Sequence, residues 1–86
     1  MPTDMNEPKW VVKAVTPRDD HTLDVVFSDG LKKRYDVKPL LGYPAFQALN
    51  DVTVFMGARV AFDSVAWGDA IDIAPETLYE DGIPIA

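Results

Sequence analysis

The sequence predicts an α+β domain: an antiparallel β-meander of three strands, one or two short later strands, and one or two short helices packed on one face. Three observations carry this. Valine-rich and alternating segments fill residues 10–37, a proline-led segment with Phe46 and Leu49 three apart follows over 43–50, and short β-branched runs alternate with turn residues from Ala58 onward. With 86 residues, 48% of them apolar, the chain has material for one core and not for two.

Residues 10–16 read as the first strand, and Pro17 ends it because proline has no N–H to give a ladder. Arg18-Asp19-Asp20-His21 is a polar turn. Residues 22–27 and 31–37 are the second and third strands, joined at Ser28-Asp29-Gly30. The register of this hairpin follows from its side chains. A two-residue Asp-Gly turn would set Phe27 opposite Lys32, Val25 opposite Arg34 and Leu23 opposite Asp36, so every apolar residue would meet a charge. A three-residue loop with Gly30 left-handed pairs Phe27 with Leu31, Val25 with Lys33 and Leu23 with Tyr35. Leu23, Val25, Phe27, Leu31, Tyr35 and Val37 then share one face, and Asp24 lies opposite Arg34 on the other. A one-residue slip exchanges the faces, so burial selects the second register.

Residues 43–50 form a helix of about two turns with Pro44 in its first turn and Asn50 as its stop. Residues 51–56 admit two readings. Asp51 caps a helical turn that buries Val52 and Phe55, or Val52, Thr53 and Val54 make a strand. Residues 58–62 and 65–67 are short strands around a turn at Asp63-Ser64, and 71–74 are extended because the residue before Pro75 is biased from the helix. Residues 75–79 form one helical turn. The reading divides the chain into a disordered tail over 1–9, a single domain over 10–80 and a frayed end over 81–86.

Two stretches carry a resemblance. The first is Leu23-x-Val25-x-Phe27-x-Asp29-Gly30 running into Tyr35-Asp36-Val37-x-Pro39-Leu40-Leu41. The second is Trp67 followed by Asp72-Ile73-x-Pro75-Glu76-x-Leu78-Tyr79. In this order and spacing they resemble the small bacterial proteins grouped as domain-of-unknown-function family 2442, over about residues 10–79. The resemblance implies a compact α+β domain with an antiparallel sheet and supplies no catalytic residues. Family members are often encoded beside another very short protein, which implies a two-protein module of toxin–antitoxin type. The chain departs from the family's Asn-Gly turn after the tryptophan, carrying Gly68-Asp69-Ala70-Ile71 there. Asp29, Gly30, Pro39, Trp67, Asp72, Pro75 and Leu78 match the family pattern and read as structural.

The formal net charge is −6, all of it after Asn50, where only Arg59 opposes Asp51, Asp63, Asp69, Asp72, Glu76, Glu80 and Asp81. This disfavours a nucleic acid as partner and keeps a small protein soluble. There is no cysteine, hence no disulfide or thiolate chemistry, which fits a reducing, cytoplasmic compartment. No apolar run approaches the ~18 residues that span a bilayer, and 1–8 lack the apolar stretch of a signal peptide.

His21, the lone histidine, is expected to face water. Ser28 and Ser64 lie outside any nucleophile-elbow context, so a Ser-His-Asp arrangement is not indicated. Asp63, Asp69 and Asp72 are the carboxylates that would gather round a hard cation or act as an acid/base pair, but no calcium-loop spacing is present. Asp72 reads instead as an acceptor for backbone amides near Pro75. Lys32, Lys33 and Arg34 form the basic cluster. Alternation sends Lys33 one way and the other two the opposite way, and their strand reads as a solvated edge that discourages aggregation. Trp67 is expected in the core. Trp10, Tyr43 and Tyr79 are the candidate interface residues. No catalytic, cofactor or metal residues are assigned. The leading function is a non-enzymatic module that binds another protein or a second copy of itself. The alternatives are a nucleic-acid-binding regulator using the edge from Lys32 to Arg34, and a small carboxylate-dependent hydrolase.

Overall fold

Gly30 sets the register of the central hairpin. The computed structural model describes residues 7–85. In it β1 (Val12–Pro17), β2 (Thr22–Phe27) and β3 (Lys32–Asp36) form the antiparallel meander. Gly30 has φ +89°, a left-handed conformation that glycine adopts at no steric cost. Leu23 faces Tyr35, Asp24 faces Arg34 and Val25 faces Lys33, which is the register that burial selects. Leu23, Val25, Phe27, Tyr35 and Val37 are all buried. Leu31 is not. Its carbonyl accepts from the Phe27 N–H at 2.9 Å, but its side chain is 44% exposed at the end of the hairpin.

Past a 3₁₀ turn at Lys38–Leu40, Pro44–Asn50 winds as a 3₁₀ helix rather than two α-turns. The tighter form suits a short segment held by packing, and here Leu49 is its one fully buried residue. Asp51 resolves the ambiguity after it: its side chain accepts the Thr53 N–H and caps α1 (Val52–Phe55). Phe55 is buried, whereas Val52 stays 41% exposed.

A second antiparallel sheet follows, with β4 (Arg59–Ala61) and β6 (Ile71–Ile73) flanking β5 (Ser64–Trp67). Ala61 faces Ser64, so the tight turn is Phe62-Asp63, one residue earlier than Asp63-Ser64. Both turn residues are left-handed, with φ +53° and +64°. α2 (Pro75–Asp81) is longer than the single turn expected.

The end of the chain corrects the reading of a frayed tail over 81–86. Ile83–Ile85 forms β7 and pairs with β3, with Arg34 opposite Ile83 and Lys32 opposite Ile85. β3 is therefore an interior strand of the order β1-β2-β3-β7, not a solvated edge. The sequence signal was blunted by Pro84, which edge strands tolerate. Of the predicted tail over 1–9, residues 1–6 lie outside the described residues. Glu7 accepts from Lys13 at 2.7 Å and the Pro8 carbonyl accepts from Ser28 Oγ at 2.6 Å, so the described part is tied down.

One buried cluster joins the two sheets, drawing Val12, Leu23, Val25 and Phe27 together with Phe55, Val65, Trp67, Ile73 and Leu78. Polar contacts fix the seam. The Val12 N–H donates to the Asp63 carbonyl at 2.9 Å, and the buried Trp67 Nε1–H donates to the Phe55 carbonyl at 2.8 Å. No buried side-chain polar atom lacks a hydrogen bond among the described residues.

Gly82 is where α2 turns back to the sheet. A Cβ there would lie 2.6 Å from the Leu78 carbonyl oxygen and 3.0 Å from Lys33 Cβ. Gly82→Ala is expected to cost about 1–3 kcal/mol, the usual range for overpacking. At Gly42 an added Cβ meets nothing within 4 Å, so Gly42→Ala is expected to leave stability unchanged or slightly raised. Urea midpoints of the two variants check both outcomes.

Candidate functional site

The register of the second sheet sets Arg59 opposite Ala66 and Ala66 opposite Asp72, so these three share a face. Between a charged residue on either edge strand, the small Ala66 leaves a depression. It is completed by Phe62 in the turn before β5, by Gly68, Asp69 and Ala70 in the turn after it and by Ile71 at the start of β6, giving a half-open groove of about 270 Å³. Gly68 has φ +57° and turns its carbonyl to the Arg59 guanidinium, which donates from Nη2 at 2.8 Å. That bond holds the arginine across the groove. Asp69 and Asp72 are exposed, and neither carboxylate has a hydrogen bond or ion pair among the described residues.

Phe62 is the residue sequence reasoning missed. It is 97% exposed and left-handed, in a two-residue turn where Asn, Asp or Gly would sit without strain. The signal was present in the alternation around Ala61-Phe62-Asp63, but a phenylalanine flanked by valines and alanines reads as strand.

The three carboxylates considered for chemistry separate. Asp69 and Asp72 line the groove and Asp63 does not. No cluster of three or more His, Cys, Asp or Glu is placed to hold a metal ion among the described residues. Acid/base work by two carboxylates needs one of them in an apolar enclosure, and both of these are exposed. Asp72 is also not the acceptor for amides near Pro75, because its side chain points from an exposed edge-strand position with no donor in reach among the described residues. His21 corrects the expectation that it faces water. Its half-buried ring lies 4.8 Å from that of Phe55, and Nε2 bonds to the Leu49 carbonyl at 2.7 Å. Since a carbonyl only accepts, Nε2 carries the proton. The imidazole pins the 3₁₀ helix to the meander.

Of the basic cluster, Arg34 is paired with Asp24 through Nε at 2.7 Å and Nη2 at 3.1 Å. Lys33 lies over the Tyr79 ring at 4.0 Å and donates to the Tyr79 carbonyl, leaving Lys32 as the exposed cation. Tyr79, partly buried, makes two further contacts. Its hydroxyl donates to Asp29 Oδ2 at 2.6 Å and its ring meets Phe27 edge-on at 4.9 Å. Tyr43 is 61% exposed and Trp10 is half-buried. Trp67 is in the core, at 3% exposure.

The Asp29–Tyr79 bond joins the two motif stretches, tying the hairpin loop to α2 across fifty positions of sequence. The fold defines a small two-sheet α+β domain. The chain belongs to the family described as protein of unknown function (DUF2442), whose model matches residues 12–84. No curated protein and no solved structure matches it.

Two titrations follow from the geometry. The hydrogen bond from Arg34 holds the Asp24 carboxyl below the ordinary carboxylate range, against partial burial, with the charges of Arg34, Arg18 and Lys32 helping. A lowered folded value means that this contribution is complete above the ordinary range, about 3.9, and is lost as pH falls through the lower folded value. Asp24→Asn is therefore expected to be less stable at neutral pH and to lose less on acidification, read as urea midpoints between neutral pH and strong acid. The Asp29 carboxyl is lowered first by the Tyr79 hydroxyl and then by the Leu31 N–H. Tyr79→Phe is expected to return it toward the ordinary range in an NMR titration of its side-chain carboxyl.

Proposed function

We propose that this protein is a non-enzymatic interaction module that docks another protein through the face of β4, β5 and β6, with Phe62 as the anchor. The observation that carries this reading is the double cost at Phe62. A large apolar ring lies 97% exposed on a backbone with φ +53°. Strain of about 1–3 kcal/mol is usual for such a residue, and it persists where function requires it. Asp63 gives the turn a structural reason, because its carbonyl accepts from β1, but among the described residues no contact requires phenylalanine beside it. Buried aromatic anchors dominate protein interfaces, and a ring this exposed is available to serve as one.

The charge on this part of the chain supports a basic partner, with complementarity acting mainly on association rate. A neighbouring short protein, as in a two-protein toxin–antitoxin-like module, and a second copy of this chain are the partner classes in view. The absence of cysteine supports a reducing, cytoplasmic setting. Against nucleic acid stands the engagement of Lys33 and Arg34 within the fold.

Phe62→Asn separates the module from the scaffold. Asn tolerates the left-handed backbone, so the variant is expected to gain about 1 kcal/mol in urea melts while losing its partner. Affinity purification from the native cell at low salt, wild type against Phe62→Asn, reads the second half. A protein retained by the wild type alone, released as salt rises, is the expected outcome. Identical retention by both chains, with identical sedimentation, would overturn the reading.

A further inference from the structure

The groove beside Phe62 has its own specificity. We infer that it receives an arginine side chain from the partner, resting on the reading that this face docks a protein. The groove carries one guanidinium, already engaged with the Gly68 carbonyl, and two carboxylates without partners among the described residues. Its charge therefore calls for a cation. Its lining includes Phe62, Ala66, Ala70 and Ile71, which suit an alkyl stem rather than a compact hydrated ion.

The size also discriminates. Small-molecule and cofactor sites run to ~300–1,000 Å³ and bury most of the ligand, whereas this groove holds about 270 Å³ and is half open. A single long side chain delivered by a protein fits that space and is held by the surrounding contact. Guanidinium suits it better than ammonium. It is planar, stacks on an aromatic face, is weakly hydrated, and offers several N–H donors to two carboxylates at once. Arg59 donates to the Gly68 carbonyl and makes no ion pair with either aspartate, so both carboxylates stay open to an incoming cation.

The test uses N-acetyl-arginine methylamide and its neutral citrulline counterpart, titrated into the full chain and followed by amide NMR. The arginine compound is expected to shift residues 68–72 with saturation in the millimolar range, and the citrulline compound is not. Asp69→Asn and Asp72→Asn should each weaken the effect roughly threefold to fivefold, as for exposed charge pairs, and together abolish it. The amide spectra of the variants report folding in the same experiment, and Asp69, in an exposed turn, serves if Asp72→Asn does not fold. Equal shifts by both compounds, no shift by either, or shifts only with a free zwitterion such as alanine would overturn the arginine site. The docking reading would still stand on the Phe62→Asn comparison, so the two fail separately.

Discussion

Everything in the molecule depends on one glycine conformation and the register it enforces. With Gly30 at φ +89°, the loop holds three residues and the apolar stripe of β2 meets Tyr35 rather than a row of charges. The same register aims Lys33 inward, where its ammonium reaches the Tyr79 ring and carbonyl, and so brings α2 against β3. It also pairs Asp24 with Arg34 on the outer face. A slip of one residue would set Lys32, Arg34 and Asp36 on the face of Leu23, Val25 and Phe27, so that either the charges are buried or the apolar stripe is exposed.

The second constraint is the seam between two small sheets, neither of which encloses a core alone. Apolar burial joins them, and a few directional bonds settle how they meet: Val12 to the Asp63 carbonyl, Trp67 to the Phe55 carbonyl, His21 to the Leu49 carbonyl. The first of these recruits the left-handed turn that carries Phe62. The turn is thus structural in its backbone and unexplained in its side chain, and that mismatch separates the scaffold from the surface it presents. The groove next to it inherits its shape from Ala66, the small residue between Arg59 and Asp72.

Local chemistry made much of this legible. The hairpin register, the Asp24–Arg34 pair, the burial of Trp67 and the extended residues before Pro75 each follow from rules that act within a few positions. What escaped were pairings set by the rest of the fold. Ile83–Ile85 has the look of a fraying end, because its strand character exists only when β3 offers an edge. His21 reads as a solvent-facing turn residue until Phe55 and Leu49 are brought to it. The groove joins Arg59, Phe62 and Asp72 through strand pairing, and no spacing rule singles them out. Tyr79 reads from sequence as a candidate interface residue, and its bond to Asp29, fifty positions away, is set by the fold.

The most direct measurement is the pattern of backbone proton–proton NOEs across the central hairpin in solution. The account predicts cross-strand contacts linking Leu23 with Tyr35 and Val25 with Lys33. Contacts linking Leu23 with Asp36 and Val25 with Arg34 would contradict it, since the buried stripe, the seat of Tyr79 and the strand that closes the sheet would all lose their footing.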